Sequence, residues 1–337
     1  MRLGFWPAVY GNWLPSDQPE ENDASFAHAR RATLTAERLG FDTMLIAEHF
    51  INPNGETRDQ LDAWTAAAAL GALTSRIEII AAVKPGLRAP GVIAKMGAQI
   101  DHISGGRFAI NLVSAWWPPE YVMLGAPVLA HDERYDRAEE YVEIVRGLWT
   151  RDRFSYQGRY YGVEGATIAP KPVQRPHPTI YIGGESDRGR ALGAKVADVV
   201  LMNGRPPDEM AAIMADMNAR AEVMGRSLRF GTTAFVVCRP TEAAAQAEYE
   251  RLAGLRRMNI VGADPAVEMF KKAPLETSRL GTNVGSRAGL VGTPAQIAAR
   301  MRAFEALGIE TFLLQFHPLV PEMERFAAEV MPLLDRH

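Results

Sequence analysis

Eight short apolar runs recur along the chain, each separated from the next by at least one longer stretch of different periodicity. Their patterning predicts strands at Leu3–Trp6, Thr43–Ala47, Ile77–Val83, Phe108–Val113, Thr179–Ile182, Val199–Met202, Phe230–Val237 and Thr311–Gln315. Between them, apolar residues fall three and four apart, which is the spacing of one helix face. That spacing predicts helices over Ala27–Leu39, Leu61–Leu73, Val92–Ile103, Tyr135–Trp149, Arg188–Val196, Asp208–Met224, Glu242–Leu255 and Pro294–Leu307. Strands that alternate with helices form a parallel sheet covered by those helices. Such a sheet either closes into a barrel or stays open and doubly wound, and periodicity alone does not separate the two.

A chain of 337 residues, 47% apolar, can build one large core. α/β barrels of more than about 200 residues form single domains, so one domain over 1–337 is expected. The net charge of −3 lacks the clustered basic surface that nucleic acid requires. The first residues, MRLGFWPAVYGNW, carry no charged segment leading into a long apolar one. No apolar run approaches the roughly 20 residues of a membrane span. Cys238 is the only cysteine, which excludes disulfides within the chain and cysteine-rich zinc sites. A cytoplasmic enzyme is the expectation.

Three segments break the alternation. Phe154–Val163 alternates around a glycine and reads as a small hairpin. Ile168–Pro178 holds four prolines and reads as an extended lead-in to the fifth strand. Asn259–Ala288 has weak periodicity and many small polar residues, and a connection that long in a compact domain reads as a lid.

Candidate chemistry gathers at the C-terminal ends of the strands. The fourth strand ends in Asn111, Ser114, Trp116 and Trp117, and a polar loop then leads to Arg134 and Tyr135. Hydrogen-bonding and aromatic residues there are what a barrel enzyme uses to hold a planar cofactor. The second strand ends in Glu48-His49, where an imidazole can act as an acid or base near neutral pH or simply serve as a satisfied structural histidine. The fifth strand runs into Gly183-Gly184-Glu185-Ser186, a turn that offers free N–H groups to a phosphate or is an ordinary serine-capped helix start. Arg287, in the expected lid, is either a clamp for an anionic substrate or an exposed surface arginine, and His317 follows the last strand. Trp6, Trp13, Phe50 and Phe316 join the two tryptophans as aromatics near strand ends, which suggests an apolar pocket at one rim. No GxGxxG follows the first strand, and neither GxxxxGK[ST] nor GxSxG occurs, so a Rossmann dinucleotide site, a P-loop and a hydrolase nucleophile elbow are disfavoured. The histidines show no HxxxH or HxH spacing, and no metal site is expected.

Five blocks of this sequence, in order, resemble the luciferase-like flavin monooxygenases. They are AERLGFDTMLIAEHF, the long run TSRIEII to NLVSAW, HDERYDRAEEYVEIVRGLW, PHPTIYIGGESDRGRALGAKVADVVLMNG and GLVGTPAQIAARM. The resemblance implies a (β/α)8 TIM barrel with insertions. It implies FMN, used as FMNH2 from a separate NAD(P)H-dependent reductase, and O2 activated as a flavin peroxide. It implies a homodimer or homotetramer, and a lid that excludes water. The substrate it implies is a small organosulfur compound such as a sulfone or an alkanesulfonate, or alternatively a heterocycle such as a pyrimidine or a flavin. A deazaflavin-dependent dehydrogenase and a non-enzymatic flavin-binding protein share the barrel. Carried over residue by residue, the family pattern assigns flavin contacts to Ala47, Glu48, Asn111, Glu120, Arg134, Tyr135, Gly184, Glu185 and Ser186. His49, Arg287 and His317 are the catalytic candidates. Glu185 is unexpected beside a phosphate unless its carboxylate points away. Relatives that act on sulfonates carry an arginine and a histidine where this chain has Thr233 and Phe235, which favours a neutral substrate.

Overall fold

The structure is a computed structural model that describes residues 1–9, 11, 23–114, 116–255, 280 and 282–334. Eight parallel strands close into a barrel: β1 (Arg2–Phe5), β2 (Thr43–Ile46), β3 (Glu78–Val83), β4 (Phe108–Leu112), β7 (Thr179–Gly183), β8 (Val199–Met202), β9 (Arg229–Phe235) and β12 (Ile309–Gln315). β5 (Phe154–Gln157) and β6 (Gly162–Ala166) form the expected hairpin outside it. β10 (Val237–Cys238) and β11 (Val291–Gly292) make a small parallel pair. Closure rests on β1, which pairs with β12 on one side and β2 on the other. That double pairing decides for the barrel over the open sheet.

The helices outside it are α1 (Phe26–Leu39), α2 (Ala63–Leu73), α3 (Pro90–Ser104), α4 (Pro118–Met123), α5 (His131–Thr150), α6 (Asp187–Val196), α7 (Pro207–Glu222) and α8 (Glu242–Leu255), followed by Pro294–Ala306 and Leu319–Glu329. Their limits follow local chemistry. Ser25 and Asp62 accept from the first-turn N–H groups of α1 and α2, and α1 ends at Gly40, which takes the left-handed conformation at φ 87°.

Side chains alternate along each strand between the helix-covered exterior and the lumen. Inside lie Leu45, Ile80, Ala109, Tyr181, Val199, Leu201 and Leu313, with Trp6 packed on them. Arg2, Glu78 and the Tyr181 hydroxyl close the N-terminal end in a hydrogen-bonded cluster at 2.9–3.2 Å. Two residues further along each strand, the same alternation brings Ala47, Ala82, Asn111, Gly183 and Gln315 to the C-terminal mouth. Among the described residues, no helix is long and apolar enough to cross a membrane.

Most of the segment expected as a lid lies outside the described residues. Of it, Leu280 is buried, and Thr282–Ala288 forms a 3-10 helix. Gly285 lies so close to the backbone of Ala234 and Phe235 that a Cβ there would sit 2.9 Å from the Phe235 amide nitrogen. This segment is therefore fastened to the C-terminal end of β9, on the side of the mouth.

Candidate active site at the barrel mouth

A lysine is the centre of the site. Lys84 follows β3 and is 2% exposed, deep enough that its charge requires a partner. Its Nζ hydrogen-bonds to Glu120 Oε2 and lies 2.9 Å from His49 Nδ1. His49 Nδ1 is 3.4 Å from the other oxygen of Glu120, which also accepts from the Phe50 amide at 2.7 Å. Glu120 belongs to α4, a short helix entered through Pro118-Pro119, and its side chain is fully buried. Trp116 and Trp117 stand edge-on to the His49 ring, with centroids 5.4 and 6.3 Å away.

The electrostatics follow from burial and these contacts. Burial, then the neighbouring Lys84 ammonium, push His49 down to about 4, so it is neutral at neutral pH. Of the two roles open to this histidine from sequence, an acid or base near pH 7 and a satisfied structural residue, the lowered pKa disfavours the first. Burial acts to raise the Glu120 carboxyl, but its contacts with His49 and Lys84 outweigh that and hold it at about 2. Burial also lowers Lys84, against the attraction of Glu120 and Glu48.

Glu48 sits beside this cluster, with its carboxylate already committed. Oε2 accepts from the Lys84 amide at 2.6 Å and Oε1 from Arg88 Nε at 2.7 Å. Arg88 pairs in addition with Asp62 and lies 4.7 Å over the Phe50 ring. The carboxylates of Glu48 and Glu120 thus build the wall of the mouth.

Asn111 fits the part of a ligand-binding residue better. It lies on β4, in register with Ala82 and Tyr181, and is 6% exposed. Its Oδ1 has no hydrogen-bond partner, nor have the buried Ser114 Oγ and Trp6 Nε1. An orphaned buried acceptor is costly, and several at one barrel mouth mark where a polar ligand completes the structure.

The turn after β7 forms the second half of the site. Ser186 caps α6, accepting from the Gly189 amide at 3.2 Å. Gly184 adopts φ 140°, and a Cβ there would come within 3.4 Å of the Tyr135 ring. Tyr135 and the glycine turn, far apart in sequence, are neighbours. Arg134, one residue earlier in the first turns of α5, is buried. The Glu185 carboxylate does point away, accepting from Asn203 Nδ2 at 2.7 Å and pairing with Arg205. A phosphate at the N-terminus of α6 would meet the turn's backbone and not that charge.

Two catalytic candidates lie elsewhere in the network. Arg287 is bound to Glu209 of α7 at 2.9 Å, which anchors the 3-10 segment Thr282–Ala288 to that helix. His317 is buried just past β12, on the lumen side by alternation. Phe316 turns outward, against expectation, and packs on Phe326 and Phe41 at 5.6 and 6.1 Å. Trp13 lies outside the described residues. Lys84, Arg88, Asn203 and Arg205 were not singled out from sequence.

Residues 4–311 match the model of the luciferase-like monooxygenase family. The chain belongs to that family. It is 34% identical to an FMNH2-dependent dimethylsulfone monooxygenase of Pseudomonas putida, over 99% of this chain and 95% of the relative. A second FMNH2-dependent dimethylsulfone monooxygenase, from Pseudomonas fluorescens, is 33% identical over 99% of this chain and 94% of its own length. In fold, the chain is similar to riboflavin lyase solved with modified FMN and riboflavin, with a TM-score of 0.80, 23% identity and coverage of 99% and 91%.

Proposed function

We propose that this protein is an FMNH2-dependent monooxygenase that oxidises a small, uncharged organosulfur compound such as a sulfone. The observation that carries this reading is the 34% identity over 99% of the chain to an FMNH2-dependent dimethylsulfone monooxygenase. The orphaned Asn111 Oδ1 and the Gly184–Tyr135 cradle fit a flavin there. Bound FMNH2 supplies the electrons that activate O2.

The chain's own residues do the rest. The α6 N-terminus at Ser186, with Tyr135 and Arg134, holds the phosphate end. Asn111 and the Ala47 backbone, at the strand ends, would hold the ring. Trp6, Trp116 and Trp117 wall the mouth and keep water from it. His49 contributes a neutral imidazole, and His317 is a further polar group on the lumen side. Beside β9, Leu280 joins Phe235, Ala245 and Leu252 in a small apolar cluster and Arg287 is held by Glu209, which fixes the described end of the segment read as a lid.

The preference for an uncharged substrate follows from charge. The Lys84 ammonium is balanced by Glu120, His49 is neutral, and Thr233 on β9 brings no cation. A sulfonate would gain no counter-charge from these three residues, whereas sulfone oxygens need only hydrogen-bond donors such as Trp6 Nε1.

A separate NAD(P)H-dependent reductase supplies the reduced flavin, which places both proteins in the cytoplasm, where that nucleotide is available. Assembly as a homodimer or homotetramer is part of the reading. The exposed run of Val122, Met123, Leu124 and Val128 supports it as an apolar surface suited to self-contact. The test is an assay with FMN, NADH, a flavin reductase and dimethylsulfone under 18O2. Label in the oxidised product supports the reading, and sulfone left intact while methanesulfonate is consumed overturns the substrate assignment.

A further inference from the structure

We infer that Lys84 is a positioning residue which fixes His49 as the neutral tautomer with its proton on Nε2, so that His49 serves as a hydrogen-bond donor and not as a base. The geometry decides it. An ammonium has donors only, and Lys84 Nζ lies 2.9 Å from His49 Nδ1. Nδ1 must then accept, and the ring proton of the neutral imidazole is left on Nε2. The rival arrangement puts the proton on Nδ1 and aims it at Glu120 Oε1. That pair is longer, at 3.4 Å, the separation expected when both atoms surround one ammonium.

Of the described charged groups facing the imidazole, Glu120 alone favours a proton on Nδ1, and burial together with the Lys84 ammonium outweighs it. Glu120 is bound to Lys84 and to the Phe50 amide, and its side chain is fully buried. Glu48 accepts from the Lys84 amide and Arg88, which leaves it no proton to exchange with the ring. Among the described residues, Trp116 and Trp117 stand edge-on to the ring, and they do not titrate. A second proton on the ring would place an imidazolium beside an ammonium in a water-poor pocket. A neutral histidine that donates, kept from protonation by its surroundings, is a known catalytic device. Here the surroundings are a buried pocket and one lysine just past the neighbouring strand.

The consequence for turnover rests on the monooxygenase reading, but the tautomer is a property of the flavin-free protein. It is read from the 15N spectrum of the full-length chain labelled at histidine, with His49→Gln used to assign the ring. The expected spectrum shows an acceptor-type Nδ1 and a protonated Nε2, unchanged from pH 5.5 to 8. An Nδ1–H tautomer, or an imidazolium in that range, overturns the proposal whatever the enzyme proves to catalyse.

Lys84→Met tests the cause. It should move the proton to Nδ1, where Glu120 accepts it, and bring the ring's titration above pH 6. If that variant does not fold, Lys84→Met combined with Glu120→Gln removes both charges together. The double variant should show a mixture of tautomers, and a spectrum identical to wild type would show that Lys84 does not set the tautomer.

Discussion

Glu185 reaches from the turn after β7 to Asn203 at the end of β8, accepting from its side chain at 2.7 Å and from its amide at 2.9 Å. Arg205 completes the link. The carboxylate therefore holds two strand ends together and fixes the shape of the glycine turn. Glu185→Gln leaves the buried Arg205 guanidinium with only the half-exposed Glu209 carboxylate, 4.0 Å away, as a counter-charge. Removing one partner of a buried pair costs about 3–5 kcal/mol. Urea unfolding should show a loss of that order, and a loss below about 1 kcal/mol would mean that the turn is held by other contacts.

Ser186→Asp separates helix capping from phosphate binding. Aspartate caps as well as serine, so thermal stability should stay near wild type. Its charge would face the flavin phosphate, and FMNH2 affinity should fall by about tenfold or more. Unchanged affinity would remove the phosphate from this helix start.

Asn111→Leu removes an acceptor that has no partner in the folded chain. Replacing an unsatisfied buried amide by an apolar group of similar size is neutral to stabilising. The expected result is an unchanged or higher Tm together with FMNH2 binding weakened by about tenfold, the worth of one buried hydrogen bond. A variant that binds flavin normally would assign Asn111 to the barrel core.

His49 should make the protein sensitive to mild acid. Above about pH 6.5 the imidazole is neutral in both folded and unfolded chains. As the pH falls toward about 4, where the folded ring titrates, only the unfolded chain takes the proton, and stability declines. Between pH 7 and 5 this amounts to about 2 kcal/mol. Glu120 adds a loss at lower pH, since its stabilisation fades as the pH drops through the range between about 4.5 and about 2. His49→Gln should unfold in urea with a correspondingly shallower dependence between pH 7 and 5; equal slopes would place the titration elsewhere.

An apolar variant at the same position bears on turnover. A lost hydrogen-bond donor at a reacting centre costs about 10²-fold in kcat. His49→Leu should show that loss with FMNH2 affinity within about threefold of wild type, because Asn111 and the α6 turn hold the flavin, whereas His49→Gln, whose amide still donates, should lose less. Parallel loss of both would make His49 part of the flavin cradle.

The strands were legible to within a residue or two because each is an apolar run bounded by polar residues, as with Val199–Met202. Closure was legible only through the family resemblance and not from periodicity, since it depends on Arg2–Phe5 pairing with a strand some three hundred residues away. Lys84 was missed because it reads as the polar end of a strand. The available signal was a single cation closing the run IIAAVK, where a fully covered strand leaves it no water. Glu120 was found by resemblance, but its role is visible only once α4 folds back over the mouth. The helix Leu319–Glu329 carried its own signal, with Leu319, Met323 and Phe326 on one face. Phe316 was misjudged because position near a strand end does not fix direction, and strand alternation turns it outward. Arg287, open from sequence between a clamp and a surface arginine, pairs with Glu209 of α7.

The most direct test of the central claim is anaerobic titration of the purified protein with FMNH2, followed by rapid mixing with oxygen in the presence and absence of dimethylsulfone. The account predicts a tight one-to-one complex and a rate of flavin reoxidation that changes when the sulfone is present. Weak FMNH2 binding, with reoxidation no different from free flavin, would contradict it and point to a deazaflavin-dependent dehydrogenase on the same barrel.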